Sequence, residues 1–215
     1  MFGGSFNPIH FGHLLAADEV LEALALDSVL FVPAGSPPHK PASELAPAAH
    51  RLEMTRRAVA GHPCFEVSDI EVARRGPSFT VDTLRQLAGR GELFLLLGSE
   101  SFLDLLSWRE PREVAALARL VVVPRHGTAF DPKAPAAQKV LKELGLPGFV
   151  GADEDGSRRA AAGAPGGPIV VDAVSLPLSG SELRRRAREG RSLAYRMPDT
   201  VVAYIRQHRL YEAEG

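Results

Sequence analysis

The pattern that most constrains the fold is a series of short apolar runs separated by segments with a helical period. Such runs cover residues 28–33, 93–97, 120–124 and 169–174. Leu93–Leu97 is apolar at every position, which predicts a strand buried on both faces of a parallel sheet. Strands that alternate with helices predict βαβ units. We therefore expect an α/β fold with a doubly wound, mostly parallel sheet flanked by helices.

The length and composition suit one domain. The chain has 215 residues, of which 45% are hydrophobic and 24% are charged, values that are ordinary for a globular domain with a single core. We expect one domain over residues 1–215. Residues 151–168 are rich in glycine and alanine and have no apolar period, which predicts a mobile loop within that domain.

Charge and cysteine content exclude several classes of function. The formal net charge of −1 gives no general attraction to nucleic acid or to an anionic membrane. The one cysteine, Cys64, excludes an internal disulfide and fits a reducing compartment. No apolar run approaches the roughly 18 residues that cross a bilayer, and no secretory signal precedes the first motif. We expect a soluble, cytoplasmic protein without nucleic-acid or membrane partners, and the oligomeric state stays open.

Apolar periods also predict which side chains face inward. A helix over residues 13–26 has an apolar stripe made of Leu14, Val20, Leu21, Leu24 and Ala25. A helix over residues 48–60 is expected to turn Leu52, Thr55 and Val59 inward. Three arginines of that helix are expected to face outward: Arg51, Arg56 and Arg57. Residues 65–70 alternate apolar and polar, which predicts a strand with one wet face.

Residues 3–14, GGSFNPIHFGHL, hold the strongest functional signal. Glycines allow the backbone to approach a ligand closely, and Pro8 excludes regular structure across the turn. His10 and His13 are three residues apart at the start of a predicted helix, so both can face one ligand. The N-terminus of that helix is predicted to offer free N–H groups and the positive end of its dipole to an anion, and phosphate is the best candidate.

Two plainer interpretations of this stretch stay open. It can be a structural turn, or the histidines can belong to a metal site. A metal site would need a third ligand, and no cysteine or carboxylate stands at a suitable local spacing.

Residues 178–184 predict the start of another helix. Ser179 followed three residues later by Glu182 is a capping box. Capping alone would explain both serines of this stretch, and Arg184 in the second turn would ordinarily be a solvated residue. Segments 3–4, 33–40, 98–100 and 175–181 each follow a predicted strand. Because parallel strands end at one edge of the sheet, we expect these segments to converge there.

The order of residues 3–13, GGSFNPIHFGH, resembles the signature of the HxGH nucleotidyltransferase superfamily, and in particular that of the bacterial nicotinate mononucleotide adenylyltransferases. The resemblance extends over nearly the whole chain outside residues 151–168. It implies a Rossmann-like fold in one nucleotidyltransferase domain. It also implies an enzyme of NAD biosynthesis that transfers AMP from ATP to nicotinate mononucleotide, giving deamido-NAD and pyrophosphate. Mg²⁺ would be carried with ATP, and no metal site of the protein itself is expected.

The same resemblance implies which residues act. His10 and His13 would hold the α-phosphate and its developing charge, and Arg184 would hold the leaving pyrophosphate. These three are the expected catalytic residues. The residues expected to bind ATP are Gly3, Gly4, Ser5, Phe6, Gly12, Gly98, Glu100, Ser179 and Ser181.

Four residues are implied to bind nicotinate mononucleotide: His39, Lys40, Thr80 and Trp108. His39 and Lys40 lie in a proline-rich loop that would reach the phosphate of the mononucleotide. Thr80 would contact the pyridine carboxylate, and the indole of Trp108 would stack on the pyridine ring. By themselves the residues leave plainer roles open: a solvated loop for Lys40 and a helix cap for Ser78 or Thr80. Core packing would equally explain Trp108.

The chain departs from the family pattern in three places. Glu100 replaces an aspartate, and its extra methylene moves the carboxylate by ~1 Å or more, which weakens the expected ribose contact. Gly180 and Ser181 replace a Ser-Thr pair, so one phosphate-binding hydroxyl is lost. Only two residues precede the first glycine although a strand should lead into it, so we expect the true start of the chain to lie upstream.

Other functions stay open at this point. The acceptor can instead be nicotinamide mononucleotide or phosphopantetheine, although residues 77–80 and the spacing from Glu100 to Trp108 favour a pyridine mononucleotide. The choice of the acid over the amide rests on the resemblance alone. A nucleotide-binding protein without catalysis would be expected to have lost a phosphate contact, yet His10, His13 and Arg184 are present. Nucleic-acid binding through the arginines near residue 184 is disfavoured by the overall charge.

Overall fold

The computed structural model describes residues 1–124, 130–151, 166–174 and 176–212. The strands are β1 (Phe2–Gly4), β2 (Val29–Pro33), β3 (Phe65–Val67), β4 (Phe94–Gly98), β5 (Arg119–Val123), β6 (Val150–Gly151) and β7 (Ile169–Val170). The α-helices are α1 (Phe11–Ala23), α2 (Ala48–Val59), α3 (Thr80–Leu87), α4 (Ser99–Leu103), α5 (Pro111–Leu117), α6 (Pro135–Leu144), α7 (Gly180–Arg188) and α8 (Asp199–Gln207). Within the described ranges, none of these helices has the length and apolar character needed to cross a membrane. Most of the predicted mobile loop, residues 152–165, lies outside the described residues, as does Ser175.

Over the part of the chain that the structure describes, seven strands form one sheet in the order β3-β2-β1-β4-β5-β7-β6. Phe2 on β1 pairs with Leu96 on β4 in parallel. The pairs β2–β3, β4–β5, β5–β7 and β6–β7 are parallel too. Since β2 lies on one side of β1 and β4 on the other, the change of strand order falls at β1, the strand that ends in Gly4. The predicted doubly wound α/β fold is confirmed.

The chain divides by Cα proximity into two compact units. The first unit comprises Met1–Gly3, Ala16–Asp27 and Phe79–Ser175, and the second comprises Gly4–Leu15, Ser28–Ser78 and Leu176–Gly215. The division places the signature stretch from Gly4 onward in the second unit. One domain over residues 1–215 stays a prediction.

The core of the first unit lies on the faces of β4 and β5. Leu96 is 2% exposed and Val121 is 0% exposed, and both pack with Val20 and Leu24 of the segment around α1. Ile169 on β7 joins the same cluster. The apolar run at residues 93–97 forms β4, Phe94–Gly98, in which Leu95, Leu96 and Leu97 are all buried. Because successive residues point to opposite faces, this part of the strand is buried on both faces, as predicted.

The core of the second unit contains a row of aromatic rings. Phe31 on β2 is 0% exposed, and its ring centroid lies 5.8 Å from that of Phe6 and 5.1 Å from that of Phe65. On α2, the residues predicted to face inward are buried: Leu52, Thr55 and Val59. The aromatic row holds the signature turn, through Phe6, against β2.

Two predicted strands end earlier than the sequence suggested. β3 ends at Val67 because the hydroxyl oxygen of Ser68 accepts a hydrogen bond from the Ile70 amide at 3.3 Å, which turns the chain. β7 ends at Val170, and the Ala173 amide donates to the Val171 carbonyl at 3.0 Å in a tight turn. The strand predicted over 169–174 is thus limited to two residues. It pairs with β6, a strand that the sequence did not predict.

The first helix also differs from its prediction. It begins at Phe11 and ends at Ala23, where residues 13–26 were expected. Ala25 was expected on the apolar stripe, but it is exposed and adopts a left-handed conformation with φ 47°. Because that conformation cannot continue a helix, Ala25 is lost from the predicted stripe. Val20, Leu21 and Leu24 are buried as expected.

Replacing Gly35 with alanine should destabilise the second unit. A Cβ at Gly35 would overlap the carbonyl oxygen of Glu71 and lie 2.9 Å from its carbonyl carbon, and both neighbours are backbone. We expect the free energy of unfolding, measured by urea denaturation, to fall by about 1–3 kcal/mol. The control is Gly61→Ala, since a Cβ at Gly61 would meet nothing within 4 Å. Equal stability of the two variants would contradict the close approach at Gly35.

Candidate functional site

The signature stretch forms a compact turn in the second unit. Phe6 adopts a left-handed backbone conformation, φ 42°, and is 2% exposed. A Cβ at Gly4 would lie 3.2 Å from the Phe6 ring, so the glycine leaves room for that ring. The peptide between Asn7 and Pro8 is cis, and Ile9 after it is fully buried. The turn therefore delivers His10 to the start of α1 from a buried, closely packed backbone.

The two histidines lie against each other at the start of α1. Their ring centroids are 3.8 Å apart with the ring planes inclined by 28°. The His10 amide donates to Nδ1 of His13 at 3.3 Å. In a neutral imidazole whose Nδ1 accepts a hydrogen bond, the proton is on Nε2. In this tautomer of His13, Nε2 carries the proton and is a hydrogen-bond donor.

Gly12 makes the stacked arrangement possible. A Cβ at this position would lie 3.1 Å from both Cε1 and Nδ1 of the His10 ring. That separation is tighter than ordinary van der Waals contact, so any larger residue would press on the imidazole. The glycine between the histidines thus leaves room for the ring of His10.

The prediction of free N–H groups at the N-terminus of α1 is partly wrong. The Phe11 amide donates to the carbonyl of Arg196 at 3.0 Å, and the His13 amide donates to the carbonyl of His10 at 2.9 Å. Two of the first amides of the helix are therefore used within the protein. The anion-binding capacity of this end depends on the imidazoles and the helix dipole more than on unpaired amides.

Asn7 holds the turn through four hydrogen bonds and was not singled out from the sequence. Its Nδ2 donates to the Glu44 carbonyl at 2.9 Å. Its Oδ1 accepts from the Ala46 amide at 3.0 Å and from the Tyr211 hydroxyl at 2.8 Å. Its backbone carbonyl accepts from Nη1 of Arg184 at 2.9 Å. Asn7 is 6% exposed, so these bonds satisfy a buried amide.

Tyr211 is the second residue of this network that the sequence did not reveal. Burial raises the pKa of its hydroxyl above the ordinary value of 10.0, and the charges of Arg184 and Arg51 oppose that rise. The hydroxyl therefore stays protonated at neutral pH and serves as the donor to Asn7. No local signal marks this contact, because the two residues are 204 positions apart.

Arg51 is buried, although it was predicted to face outward. It is 1% exposed, and its guanidinium donates to three carbonyl oxygens: Ala46 at 2.9 Å, Ser5 at 2.8 Å and Gly35 at 2.9 Å. Burial lowers the pKa of Arg51, but arginine remains charged at neutral pH. A signal was present in the sequence: residues 51, 55 and 59 are four apart and share the buried face of α2.

The start of α7 adjoins the signature turn. Ser179 caps the helix, and its Oγ accepts from the Glu182 amide at 3.2 Å, which confirms the predicted cap. Ser179 Oγ also lies 3.2 Å from Ser181 Oγ, and both serines are exposed. A Cβ at Gly180 would lie 3.0 Å from the Asn7 carbonyl oxygen and 3.3 Å from Nη1 of Arg184. Gly180 thus allows the Arg184–Asn7 hydrogen bond to form.

The proline-rich loop after β2 is held by Ser78. Ser78 Oγ accepts from the amides of Gly35 and Ser36, each at 3.1 Å. The N-cap position of α3 is Phe79, and no side chain caps the helix there. The alternative prediction, that Ser78 or Thr80 caps this helix, is therefore wrong. His39 and Lys40 are exposed near the tip of the loop.

The remaining predicted residues lie in the first unit. Thr80 is the first residue of α3, and Gly98 is the last residue of β4. Glu100 is exposed in the first turn of α4. Trp108 follows a 3₁₀ turn and is half-buried, and its amide donates to the Leu105 carbonyl at 3.1 Å. Trp108 is therefore neither a fully buried core residue nor a fully exposed one. Gly3 belongs to β1 in the same unit.

The second unit brings together most of the residues expected to hold phosphate. Around Asn7 it gathers the start of α1 with its two histidines and the start of α7 with its arginine. The expected catalytic and ATP-binding residues in this unit are Gly4, Ser5, Phe6, His10, Gly12, His13, Ser179, Ser181 and Arg184. Imidazole N–H groups, hydroxyls and a guanidinium are all donors to anionic oxygens. The arrangement is chemically suited to holding a polyphosphate.

Comparisons with known proteins agree with this chemistry. The cytidylyltransferase-like family model matches residues 1–186. A Roseiflexus protein named nicotinate-nucleotide adenylyltransferase is 42% identical over 213 residues, which cover 98% of this chain and 96% of the relative. A Thermus thermophilus protein of the same name is 42% identical over 214 residues, which cover 98% and 97%. The fold is similar to that of Plasmodium falciparum nicotinic acid mononucleotide adenylyltransferase complexed with NaAD, with a TM-score of 0.70, 17% identity and coverage of 98% and 95%.

Replacing Arg51 with methionine should lower the free energy of unfolding by about 3 kcal/mol or more, since each buried carbonyl left without a donor costs ~1–3 kcal/mol. Urea denaturation measures the change. The control on the same helix is Arg56→Met, because Arg56 is half exposed and its ion pair with Asp69 spans 3.5 Å. That variant should lose at most about 1 kcal/mol. Similar losses in both variants would contradict the three-carbonyl role of Arg51.

Proposed function

We propose that this chain, which belongs to the cytidylyltransferase-like family and within it to the nicotinate-nucleotide adenylyltransferases, transfers AMP from ATP to nicotinate mononucleotide. The products are deamido-NAD and pyrophosphate, so the reaction is a step of NAD biosynthesis. The observation that carries the proposal is the stacked pair of His10 and His13 at the start of α1, with Gly12 leaving space for the first ring.

The reaction is a displacement at phosphorus. An oxygen of the nicotinate mononucleotide phosphate forms a bond to the α-phosphorus of ATP. The bond from that phosphorus to the oxygen bridging to the β-phosphorus breaks, and the electron pair leaves with pyrophosphate. The attacking phosphate is already an anion, so the enzyme needs no general base and no covalent intermediate. Catalysis then depends on alignment and on stabilising negative charge.

We assign charge stabilisation at the α-phosphate to His10 and His13. In the tautomer of His13 whose Nδ1 accepts from the His10 amide, Nε2–H would donate to a phosphate oxygen of bound ATP. Donors that are fixed before the reaction stabilise the transition state without reorganising. The helix dipole of α1 adds positive potential at the same end.

We assign the β- and γ-phosphates of ATP to the start of α7. Ser179 and Ser181 have exposed hydroxyls there. Arg184 uses one N–H group on the Asn7 carbonyl, which fixes the guanidinium and leaves its other donors for phosphate oxygens. Within the second unit, Gly4, Ser5, Phe6 and Gly12 are further proposed ATP-binding residues. Gly3, Gly98 and Glu100 of the first unit stay predicted contacts of ATP.

Mg²⁺ belongs to this proposal as part of the ATP substrate. Among the described residues, no group of three or more histidine, cysteine, aspartate or glutamate side chains is placed to hold a metal ion. Mg²⁺ keeps several water ligands and is commonly held through substrate phosphates together with few protein groups. In this proposal the phosphate oxygens of ATP would hold Mg²⁺, which would supply positive charge to the polyphosphate.

The acceptor site and the cellular setting are proposals as well. His39 and Lys40 would reach the mononucleotide phosphate, and Thr80 and Trp108 would contact the pyridine ring. The partners are two small molecules, ATP and nicotinate mononucleotide, with neither nucleic acid nor a membrane involved. We place the reaction in the cytoplasm, where a single free thiol such as Cys64 stays reduced.

The acceptor can be tested by pyrophosphate release. With ATP and Mg²⁺, we expect release with nicotinate mononucleotide to exceed release with nicotinamide mononucleotide or phosphopantetheine by at least tenfold in kcat/KM, which corresponds to ~1.4 kcal/mol. Equal rates, or a preference for the amide, would overturn the assignment of Thr80 and Trp108 to the nicotinate ring. If no pyrophosphate is released with any of these acceptors, the transferase is overturned and a nucleotide-binding role is favoured.

His13→Ala should lower kcat by about 10²–10³-fold, as the loss of one preorganised donor to a developing anion commonly does. The KM values for both substrates should change far less. The control is His62→Ala, which removes another stacked imidazole of the second unit, 3.8 Å from the Phe65 ring centroid. We expect this control to retain the wild-type kcat. A His13 variant with normal turnover would exclude the role proposed for this residue.

A further inference from the structure

A cavity of about 500 Å³ lies in the second unit, beside the signature turn. Its walls are the segment 43–47, the residues 209–212, and Arg184 and Arg188 of α7. The volume is within the range of ~300–1,000 Å³ that small-ligand sites occupy. Of the arginines that line this cavity, only Arg184 has a role in the proposed reaction. Arg188 and Arg209 have none.

Three arginines share this cavity: Arg184, Arg188 and Arg209. Arg184 and Arg188 are four residues apart, so they project from the same face of α7. Within the described ranges, none of the three forms an ion pair. Their neighbour Arg185, in contrast, is paired with Glu182 at 2.7 Å and with Glu189 at 3.3 Å.

The charge around the cavity is unbalanced. Besides the three arginines, the carboxylates of Glu44 and Glu212 also line the space, so three positive and two negative groups leave a net charge of +1. Guanidinium groups that are not ion-paired repel one another, and an anion between them would remove that repulsion. Planar guanidinium groups also suit phosphate oxygens, which they can bind in pairs of hydrogen bonds.

The cavity is connected to the signature turn through its own walls. Arg184 donates to the Asn7 carbonyl, and the Tyr211 hydroxyl donates to Asn7 Oδ1. The Glu44 carbonyl and the Ala46 amide, from the lining segment 43–47, complete the hydrogen bonds of the Asn7 side chain. A ligand in the cavity would therefore share Arg184, and the network around Asn7, with the proposed α7 phosphate site.

We propose that the cavity binds inorganic pyrophosphate, with Arg188 and Arg209 as binding residues in addition to Arg184. This inference rests on the proposed function, because pyrophosphate is the group that leaves when AMP is transferred. Arg184 would contact the β-phosphate while it is still part of ATP, and Arg188 and Arg209 would hold the diphosphate once it has separated. The two arginines then act on product binding and on the reverse reaction.

The test is isothermal titration calorimetry with pyrophosphate alone, which requires no turnover. Arg188→Gln and Arg209→Gln should each raise the Kd for pyrophosphate by about tenfold or more, the usual effect of losing a hydrogen bond between charged groups. The matched control is Arg185→Gln, which removes the same charge from the same helix and should change Kd less than twofold. Inorganic phosphate should bind at least tenfold more weakly than pyrophosphate.

Kinetics separate this site from the proposed reaction. In the reverse direction, Arg188→Gln should raise the KM for pyrophosphate and leave the KM for deamido-NAD unchanged, and Arg188→Lys, which keeps the charge, should restore part of the loss. Equal pyrophosphate affinity in Arg185→Gln, Arg188→Gln and Arg209→Gln would overturn the cavity proposal even if turnover is normal. So would inorganic phosphate binding as tightly as pyrophosphate. If the wild-type protein shows no turnover but Arg188→Gln and Arg209→Gln still weaken pyrophosphate binding, the cavity proposal is upheld and the proposed reaction is overturned.

Discussion

The turn that holds the two histidines depends on the hydrogen bonds of one buried amide, that of Asn7. The partners of Asn7 come from the segment at Glu44 and Ala46, from α7 through Arg184, and from Tyr211 near the end of the chain. None of these partners is local, so the turn acquires its conformation only when the second unit has folded around it. Because every polar atom of the buried side chain is satisfied, the network stabilises one arrangement rather than several.

Arg51 adds a second constraint to the same turn. Its guanidinium joins the carbonyl of Ser5, in the signature stretch, to the carbonyl of Gly35, in the loop that leads to His39 and Lys40. The two loops to which we assign phosphate groups are therefore fastened to one side chain. A buried positive charge is only weakly screened, so it also favours anions in its neighbourhood. Arg51 thereby links the folding of the second unit to the electrostatics that the proposed chemistry requires.

The sequence predicted the parts of this structure that depend on local patterns. Apolar runs predicted β2, β4, β5 and the position of β7, and the spacing from Ser179 to Glu182 predicted the start of α7. What it could not predict depends on distant contacts: Tyr211 reaches Asn7 across 204 positions, and β6 has only two residues, too few to show a period. Arg51 is a different case, since its spacing of four from Thr55 placed it on the buried face. Its charge led to the wrong prediction that it faces outward. Three backbone carbonyls compensate the burial of that charge, and no sequence pattern indicates them.

Gly180 shows how a departure from a family pattern can be compensated. Compared with the Ser-Thr pair of the pattern that the chain resembles, one hydroxyl is missing, which by itself would weaken a phosphate site. The glycine, however, allows the backbone of α7 to lie so close to Asn7 that a Cβ would be 3.0 Å from its carbonyl oxygen. This approach lets Nη1 of Arg184 reach that oxygen and orients the guanidinium. A charged donor held in place contributes more to binding a phosphate than one neutral hydroxyl, so the exchange retains an anion site at the start of α7.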